Sequence, residues 1–458
     1  MRPTFSFSSL WTALSAYSSP STPSSPSPSS PLAPSDETPS DSPLVTPVES
    51  RAVTPLQRAA LDELDALDVP FLELEPNSAS HVLVLGGAGF IGSHTTLELL
   101  KAGKNVIIVD DLSNSFSDVV DKIALAAQIW CKANGKRVPQ LRFENLDYRS
   151  PALASLLDEY AVRGSPSPRS RISGVIHFAA FKSVSESISQ PIDYYRNNVC
   201  GLVDLVALLE TYGIYKFVFS SSATVYGTKA DLGLPLSEHD VVHHPETYTD
   251  SDGNVTHATP GVSGLTSPYG RTKYFGEAIL ADVAYSNPKW SIVALRYFNP
   301  IGCDASGLLG EDPRGVPTNL FPVITQVLTG RRPRLDVFGS DWDTRDGTAI
   351  RDFIHVSDLA RGHIAALDTK IDAPFRTFNL GTGNGTTVAE AVHALEQASG
   401  RKVPSRLAPR REGDVGSCVA RNNRALTELN WTATESLGQC ASDLWNFVSK
   451  SVGTTTVA

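Results

Sequence analysis

Tyr269 and Lys273 stand four residues apart in Ser267-Pro268-Tyr269-Gly270-Arg271-Thr272-Lys273. If the segment after Pro268 is helical, residues four apart share a face, and an ammonium sits beside a phenol that ordinarily ionises only near about pH 10. A cation in that place turns a tyrosine into a usable base. In isolation the same spacing more often marks a surface tyrosine and a solvated lysine at a helix start, so the surroundings must decide.

Upstream, Gly86-Gly87-Ala88-Gly89-Phe90-Ile91-Gly92 follows an apolar run and opens a helical pattern over 91–100. It satisfies GxGxxG from Gly87 and GxxGxxG from Gly86. Such glycines allow a tight turn and bring backbone close to a pyrophosphate at a helix N-terminus. A second apolar run ends at Asp110, where a carboxylate accepts hydrogen bonds from an adenosine ribose and repels a 2'-phosphate. Asp111, Ser113 and Asn114 follow instead of arginines, which favours NAD over NADP.

These residues need a scaffold, and the chain supplies one. Apolar runs at His81 to Leu85, Asn105 to Val109, Leu141 to Glu144, Gly174 to Phe178, Lys216 to Ser220 and Ser291 to Arg296 alternate with helix-length sequence. That alternation predicts an α/β fold: a Rossmann-type doubly wound parallel sheet, with ligands at the carboxyl ends of its strands. Phe178, Ser220 and Arg296 then point to the working edge. After Phe298 the pattern loosens, with helices near 356–368, 388–399 and 437–448, predicting a smaller C-terminal α/β substrate-binding domain. The expected division is a disordered Ser/Pro-rich tail over 1–76, an NAD-binding domain over 77–298 and a substrate domain over 299–452, with helices of the last two interleaving. Three stretches, 133–139, 164–173 and 246–266, have the composition of irregular surface insertions.

Bulk properties narrow the partners. A net charge of −10 without a basic block argues against nucleic acid, and no run of eighteen apolar residues could span a membrane. Cys131, Cys200, Cys303, Cys418 and Cys440 are odd in number and scattered, with no metal-type pairing, so reduced thiols, a cytoplasmic setting and no metal are expected.

Val84 to Ser115, Val175 to Asn198, Phe217 to Gly227, Ser267 to Lys273, Leu295 to Gly302 and Gly347 to Asp358 closely resemble the UDP-glucose 4-epimerases of the extended short-chain dehydrogenase/reductase superfamily. Related sugar-nucleotide 4,6-dehydratases carry an Asp-Glu pair where this chain has Val225-Tyr226 after Thr224. The resemblance implies Tyr269 as base, Lys273 as the residue that binds the nicotinamide ribose and lowers the tyrosine pKa, and Ser222 as the hydroxyl on the sugar 4-OH. It implies NAD contacts from Gly86, Gly89, Phe90, Ile91, Gly92, Asp110, Asn114, Ser115, Asp147, Tyr148, Phe178, Ala179, Lys182, Asn197 and Phe298. It further implies UDP-sugar contacts from Lys182, Asn299, Asn319, Leu320, Phe338, Arg351, Arg411, Asp414 and Cys418. Leu85, Ala180 and Phe181 depart from the family's more usual residues without removing a catalytic group. A homodimer through helices near 198–212 and 269–284 is implied as well.

The expected activity is NAD-dependent interconversion of UDP-glucose and UDP-galactose through a 4-keto intermediate. Cys418 leaves room for an N-acetyl group and so points to UDP-GlcNAc and UDP-GalNAc too, though it equally fits an ordinary buried thiol. The alternatives are another UDP-sugar epimerase, for a pentose or uronate, and a non-catalytic NAD-binding regulator.

Overall fold

The computed structural model describes residues 80–453 except 251, 252, 318, 412 and 413; the tail expected over residues 1–76 lies outside them. Seven strands form the central sheet: β1 (His81–Leu85), β2 (Asn105–Asp110), β3 (Leu141–Asn145), β4 (Ile172–His177), β5 (Lys216–Ser222), β6 (Ser291–Tyr297) and β7 (Phe375–Leu380). Every pairing is parallel, in the order β7-β6-β5-β4-β1-β2-β3.

The two faces are covered separately, as strand alternation requires. Val82 and Val84 of β1 meet Leu97, Leu99 and Leu100 of α1 (Phe90–Lys101), Ile123, Ala126 and Ala127 of α2 (Asp118–Ala133), and Leu359 and Leu367 of a later helix, Val356–Asp368. Leu83 and Leu85 face the opposite way. They join Leu153, Leu156 and Leu157 of α3 (Ala152–Tyr160), Leu202, Leu205 and Leu209 of α4 (Gly201–Thr211), and Leu280 and Ala284 of α5 (Pro268–Ser286). A third apolar cluster, with Ile301, Phe321, Ile324, Phe353, Leu395 and Leu444, gathers the helices Leu320–Leu328, Val388–Ser399 and Leu437–Gly453.

Strand order reverses between β1 and β4, and there a crevice opens at the carboxyl ends. The amides of Phe178 and Ala179 both donate to Leu85 O, at 2.8 and 3.1 Å, so the two strand ends are stitched together beside the glycine turn.

Two elements go beyond the sequence expectation. β7 comes from the C-terminal part of the chain and pairs with β6, so the sheet draws on both sides of Phe298. Its polar residues hid it: Arg376 is bonded to Glu428, and the buried Asn379 donates to Leu236 O at 2.8 Å and accepts from Tyr226 Oη at 2.6 Å. The stretch 246–266 is also not wholly irregular, because Glu246–Thr249 and Val255–Ala258 form an antiparallel hairpin. Its turn is tied by Asp250, whose carboxylate accepts from Asn254 N at 2.8 Å.

Three histidines are sealed in this scaffold: His94 on α1, His177 at the end of β4 and His363 on the helix Val356–Asp368. Burial disfavours their charged forms and lowers their pKa values to about 4, about 3 and about 4. Below the ordinary histidine pKa the unfolded chain binds protons that the folded chain refuses, so stability is complete above about pH 6.5 and falls as pH drops from there. Urea titrations should show an unfolding free energy lower at pH 5 than at pH 7 by ~2 kcal/mol per histidine. His363→Asn should reduce that acid sensitivity; a profile flat across this window would contradict the assignment.

Candidate active site

The glycine turn is held by contacts that no side chain could enter. Gly86 has φ +80°, and a Cβ there would lie 2.8 Å from Ala179 N. A Cβ at Gly92 would lie 2.1 Å from Gly86 O, so the first turn of α1 and the preceding loop touch backbone to backbone. Gly89 is the N-cap of α1 and provides no side-chain cap, and the first turn has no acidic residue. The first intrahelical bond is Ser93 N to Gly89 O at 2.8 Å, so the amides of Phe90, Ile91 and Gly92 have no partner within the helix. An open, positive helix end of this kind suits a pyrophosphate.

Asp110 organises the neighbouring ribose end. Its Oδ2 accepts from Ala88 N at 2.9 Å, and its Oδ1 accepts from Leu112 N at 2.9 Å and Ser115 Oγ at 3.0 Å. Burial raises its pKa, and these donors oppose the rise. The loop it holds places Leu112 at φ +57°, a backbone position uncommon for a leucine. Asn114 is exposed beside it and Ser115 buried. Asp147 is paired with Arg149 at 2.7 Å, while Tyr148 turns inward to donate to Asn197 O at 2.9 Å. Turn, Asp110 and Ser115 together fit the pyrophosphate and ribose of NAD.

The catalytic candidates meet at the carboxyl end of β5. Ser267 caps α5 by accepting from Gly270 N at 3.1 Å, and Pro268 stands in the first turn, so Tyr269 and Lys273 do share a helical face. Lys273 is 3 % exposed; its Nζ donates to Ser220 O at 2.5 Å and to Ser220 Oγ at 3.1 Å. It lies 5.0 Å from the Phe219 ring centre and 5.9 Å from that of Tyr269. Burial lowers its pKa to about 7, with Glu277 acting against the fall. Burial pushes the Tyr269 phenol up to about 12, opposed by its hydrogen bond to Ser222. In the protein alone, therefore, Lys273 does not bring Tyr269 below its ordinary range. Ser222 Oγ also accepts from Thr224 N at 3.2 Å, which fixes its place at the strand end.

A third group gathers farther along the chain. Asp414 accepts from Arg351 on one oxygen and lies 3.6 Å from Arg411 on the other, and the Arg411 guanidinium sits 4.8 Å from the Phe338 ring centre. Two guanidiniums around one carboxylate leave a net positive charge over an aromatic face, a combination suited to a nucleoside diphosphate. Cys418 is in register with Arg351 on adjacent short strands and packs against the apolar cluster that holds Tyr226 and Phe298. Burial pushes its thiol up to about 11, so it behaves as a small neutral wall. Asn299 N bonds to Asp352 O at 3.0 Å in the strand following Phe298.

Lys182 and Asn319 are linked through a residue the sequence reading passed over. Glu311 lies 3.5 Å from Lys182 Nζ and accepts from Asn319 Nδ2 at 3.2 Å, just before Leu320 begins its helix. Arg314 was missed as well: its Nε bonds to Leu112 O at 2.9 Å and Ser115 O at 2.8 Å, drawing the 308–314 segment to the Asp110 loop. A third omission is Glu277, buried four residues beyond Lys273 and paired with Arg296. Its spacing from Tyr269 and Lys273 was the available signal. Among the described residues no group of His, Cys, Asp and Glu side chains could hold a metal ion.

Residues 82–381 match the family model described as the NAD dependent epimerase/dehydratase family. The chain is 43% identical over 376 residues to UDP-glucose 4-epimerase 2 of Arabidopsis thaliana, covering 81% of this chain and 95% of that protein. It is 42% identical over 374 residues to the UDP-glucose 4-epimerase of Homo sapiens, covering 81% and 96%. Among solved structures, the UDP-glucose 4-epimerase of Bifidobacterium longum in complex with NAD+ and UDP matches with a TM-score of 0.68 at 38% identity, covering 81% of this chain and 98% of that one.

The backbone contact at Gly92 gives a direct check of the cradle. Gly92→Ala should weaken dinucleotide retention at least about tenfold, a cost of ~1.4 kcal/mol. The measurement is the amount of dinucleotide released per chain on denaturing the purified variant; a content equal to wild type would count against this site.

Proposed function

The chain belongs to the NAD dependent epimerase/dehydratase family, and from that premise we propose that it is an NAD-dependent epimerase that interconverts UDP-glucose and UDP-galactose at C4. The observation that carries this reading is the convergence of Ser222, Tyr269 and Lys273 at the end of β5, in a chain that also builds the glycine turn after β1 and the Arg351, Arg411 and Asp414 group. Bound at the turn, NAD supplies a hydride acceptor and donor and, when oxidised, a positive charge that favours an ionised phenol.

The chain's own residues do the rest. Gly86, Gly89, Phe90, Ile91 and Gly92 hold the pyrophosphate, and Asp110, Asn114 and Ser115 the adenosine ribose, with Asp147 and Tyr148 at the adenine. Phe178, Ala179, Lys182, Asn197 and Phe298 complete the dinucleotide pocket, and Lys273 holds the nicotinamide ribose. Tyr269, with Ser222 beside it, takes the proton of the sugar 4-OH as the C4 hydride leaves. The C4–H and O–H bonds break and a C4 carbonyl forms. Return of both to the opposite face gives the inverted alcohol and restores the phenol for the next turnover.

Inversion requires the keto sugar to turn over while its anchor stays still. Arg351 and Arg411 are that anchor on the diphosphate, positioned by Asp414, with Phe338 against the uracil and Asn299, Asn319 and Leu320 around the nucleotide. Few contacts then remain for the sugar itself. This reading divides the work as 77–298 for NAD and 299–452 for the UDP-sugar, although β7 ties the second part into the sheet of the first.

We further read the enzyme as a cytoplasmic homodimer. All five cysteines are free, and among the described residues no helix is long and apolar enough to cross a membrane. Val203 on α4 and Phe275 on α5 are exposed apolar residues on the two helices of the expected interface.

Purified protein should epimerise UDP-galactose in a coupled assay and carry bound NAD. Tyr269→Phe should lower turnover by at least about a hundredfold with NAD content unchanged; near-normal turnover would remove Tyr269 from the mechanism. Breadth rests on Cys418, a small side chain packed against the same apolar cluster as Ala223, which follows Ser222 in the chain. The wild type should also turn over UDP-GalNAc, and Cys418→Tyr should lose that activity while retaining UDP-galactose. Wild-type inactivity on UDP-GalNAc would refute the broader specificity alone.

A further inference from the structure

Behind the Tyr269 and Lys273 pair, one helical turn farther along α5, lies a buried charge with no part in proton or hydride transfer. Glu277 is 0 % exposed, and so is its partner Arg296 on β6. The carboxylate is saturated: Oε1 accepts from Arg296 Nε at 3.0 Å and from the Ser221 hydroxyl, and Oε2 accepts from Arg296 Nη2 at 2.7 Å and His243 Nε2 at 2.8 Å. Arg296 spends its other protons on Tyr226 Oη, Glu238 O and Val241 O. A buried ion pair is poor value as mere packing, since apolar residues of similar volume stabilise as well or better.

The position of the pair shows what it acts on. Ser221 lies between Ser220, which receives the Lys273 ammonium, and Ser222, which is bonded to Tyr269. Glu277 therefore grips the strand end that presents both serines. Beyond the Arg296 guanidinium that shares the Glu277 carboxylate, the surroundings of Lys273 offer little other charge. On α5 it has Tyr269 and Glu277, from β4 the His177 ring, from β5 the Ser220 oxygens and the Phe219 ring, and near Tyr269 the Tyr297 phenol of β6. Burial drives the ammonium toward its neutral form, and Glu277 is the group that opposes it.

We propose that Glu277 is a positioning residue for the reaction: its carboxylate is the counter-charge that keeps Lys273 an ammonium in a dry site, and its bond to Ser221 sets the strand end holding Ser220 and Ser222. His243 belongs to the same device. It arrives from the chain leading into the 246–258 hairpin, and its ring lies 4.9 Å from Tyr274 and 6.0 Å from Phe375. By donating to Glu277 it blunts the negative charge that Lys273 feels. This inference rests on the epimerase reading above.

The experiment is the pH dependence of kcat on UDP-galactose for NAD-loaded, full-length wild type, Glu277→Gln, Glu277→Asp and His243→Phe. Glu277→Gln removes the counter-charge, so Lys273 should lose its proton at lower pH and the alkaline limb should move down by about one unit, a loss of about tenfold on the wild-type alkaline slope that recovers as pH is lowered. Glu277→Asp keeps the charge and should stay closer to wild type. His243→Phe removes a donor from the carboxylate and should move the limb upward by a smaller amount. A structural role alone would scale activity equally at every pH, and unmoved limbs in folded variants overturn the proposal. If Glu277→Gln fails to fold, an unmoved limb in His243→Phe overturns it on its own. A wild type inactive on UDP-galactose brings down the epimerase reading and this inference with it.

Discussion

A lysine ammonium held almost without water at the carboxyl end of β5 is the condition around which the rest of the molecule is arranged. Burial works against that charge and against ionisation of Tyr269, since desolvation disfavours the charged form of each. The protein answers with fixed dipoles and a fixed counter-charge: Ser220 O and Oγ on the ammonium, Ser222 on the phenol, and Glu277 one turn behind. None of these needs to reorganise when charge moves, which is what makes oriented polar groups effective in a water-poor site. The sheet supplies the rigidity, because Ser220, Ser221 and Ser222 are all paired with β6.

The same arrangement explains why the chain folds back on itself after Phe298. A reaction that must release and recapture one sugar carbon on either face needs a site rigid at both ends and permissive between them. β7 and the helix Val356–Asp368 lock the C-terminal residues into the same core as α1 and α2. Arg314 and Glu311 make the second connection across the nucleotide crevice, one to the Asp110 loop and one to Lys182. The proposed nucleotide anchors and catalytic groups thus belong to one framework.

Local chemistry was legible in the sequence wherever it depends on neighbours in the chain. The glycine turn declares itself because φ near +80° and backbone contact at 2.1 Å from a would-be Cβ permit little else at Gly86 and Gly92. Tyr269 and Lys273 declare themselves through helical spacing, and six strands through their apolar runs. What stayed hidden depends on distant partners. β7 reads as polar because Arg376 and Asn379 find their partners on Glu428, Tyr226 and Leu236, far away in sequence. Glu277 looks like one more charge on a helix until Arg296 and His243 are seen to close around it, and Lys273 looks like a simple activator until its surroundings are seen to be dry.

The UDP end follows the opposite logic from the lysine end, and the contrast accounts for the division of labour. Arg351 is mostly buried at 16 % side-chain exposure, Arg411 is open at 56 %, and Asp414 lies between them at 15 %. A carboxylate shared by two arginines holds both guanidiniums ready without cancelling their charge. On the proposed reading, a diphosphate bound there would meet one buried arginine and one exposed to solvent. Lys273 is more enclosed than either, 3 % exposed and tied to Ser220 O and Oγ. Desolvated charge beside the proposed base and solvent-facing charge at the proposed anchor are therefore two answers to one requirement: the sugar must move, and the groups that act on it must not.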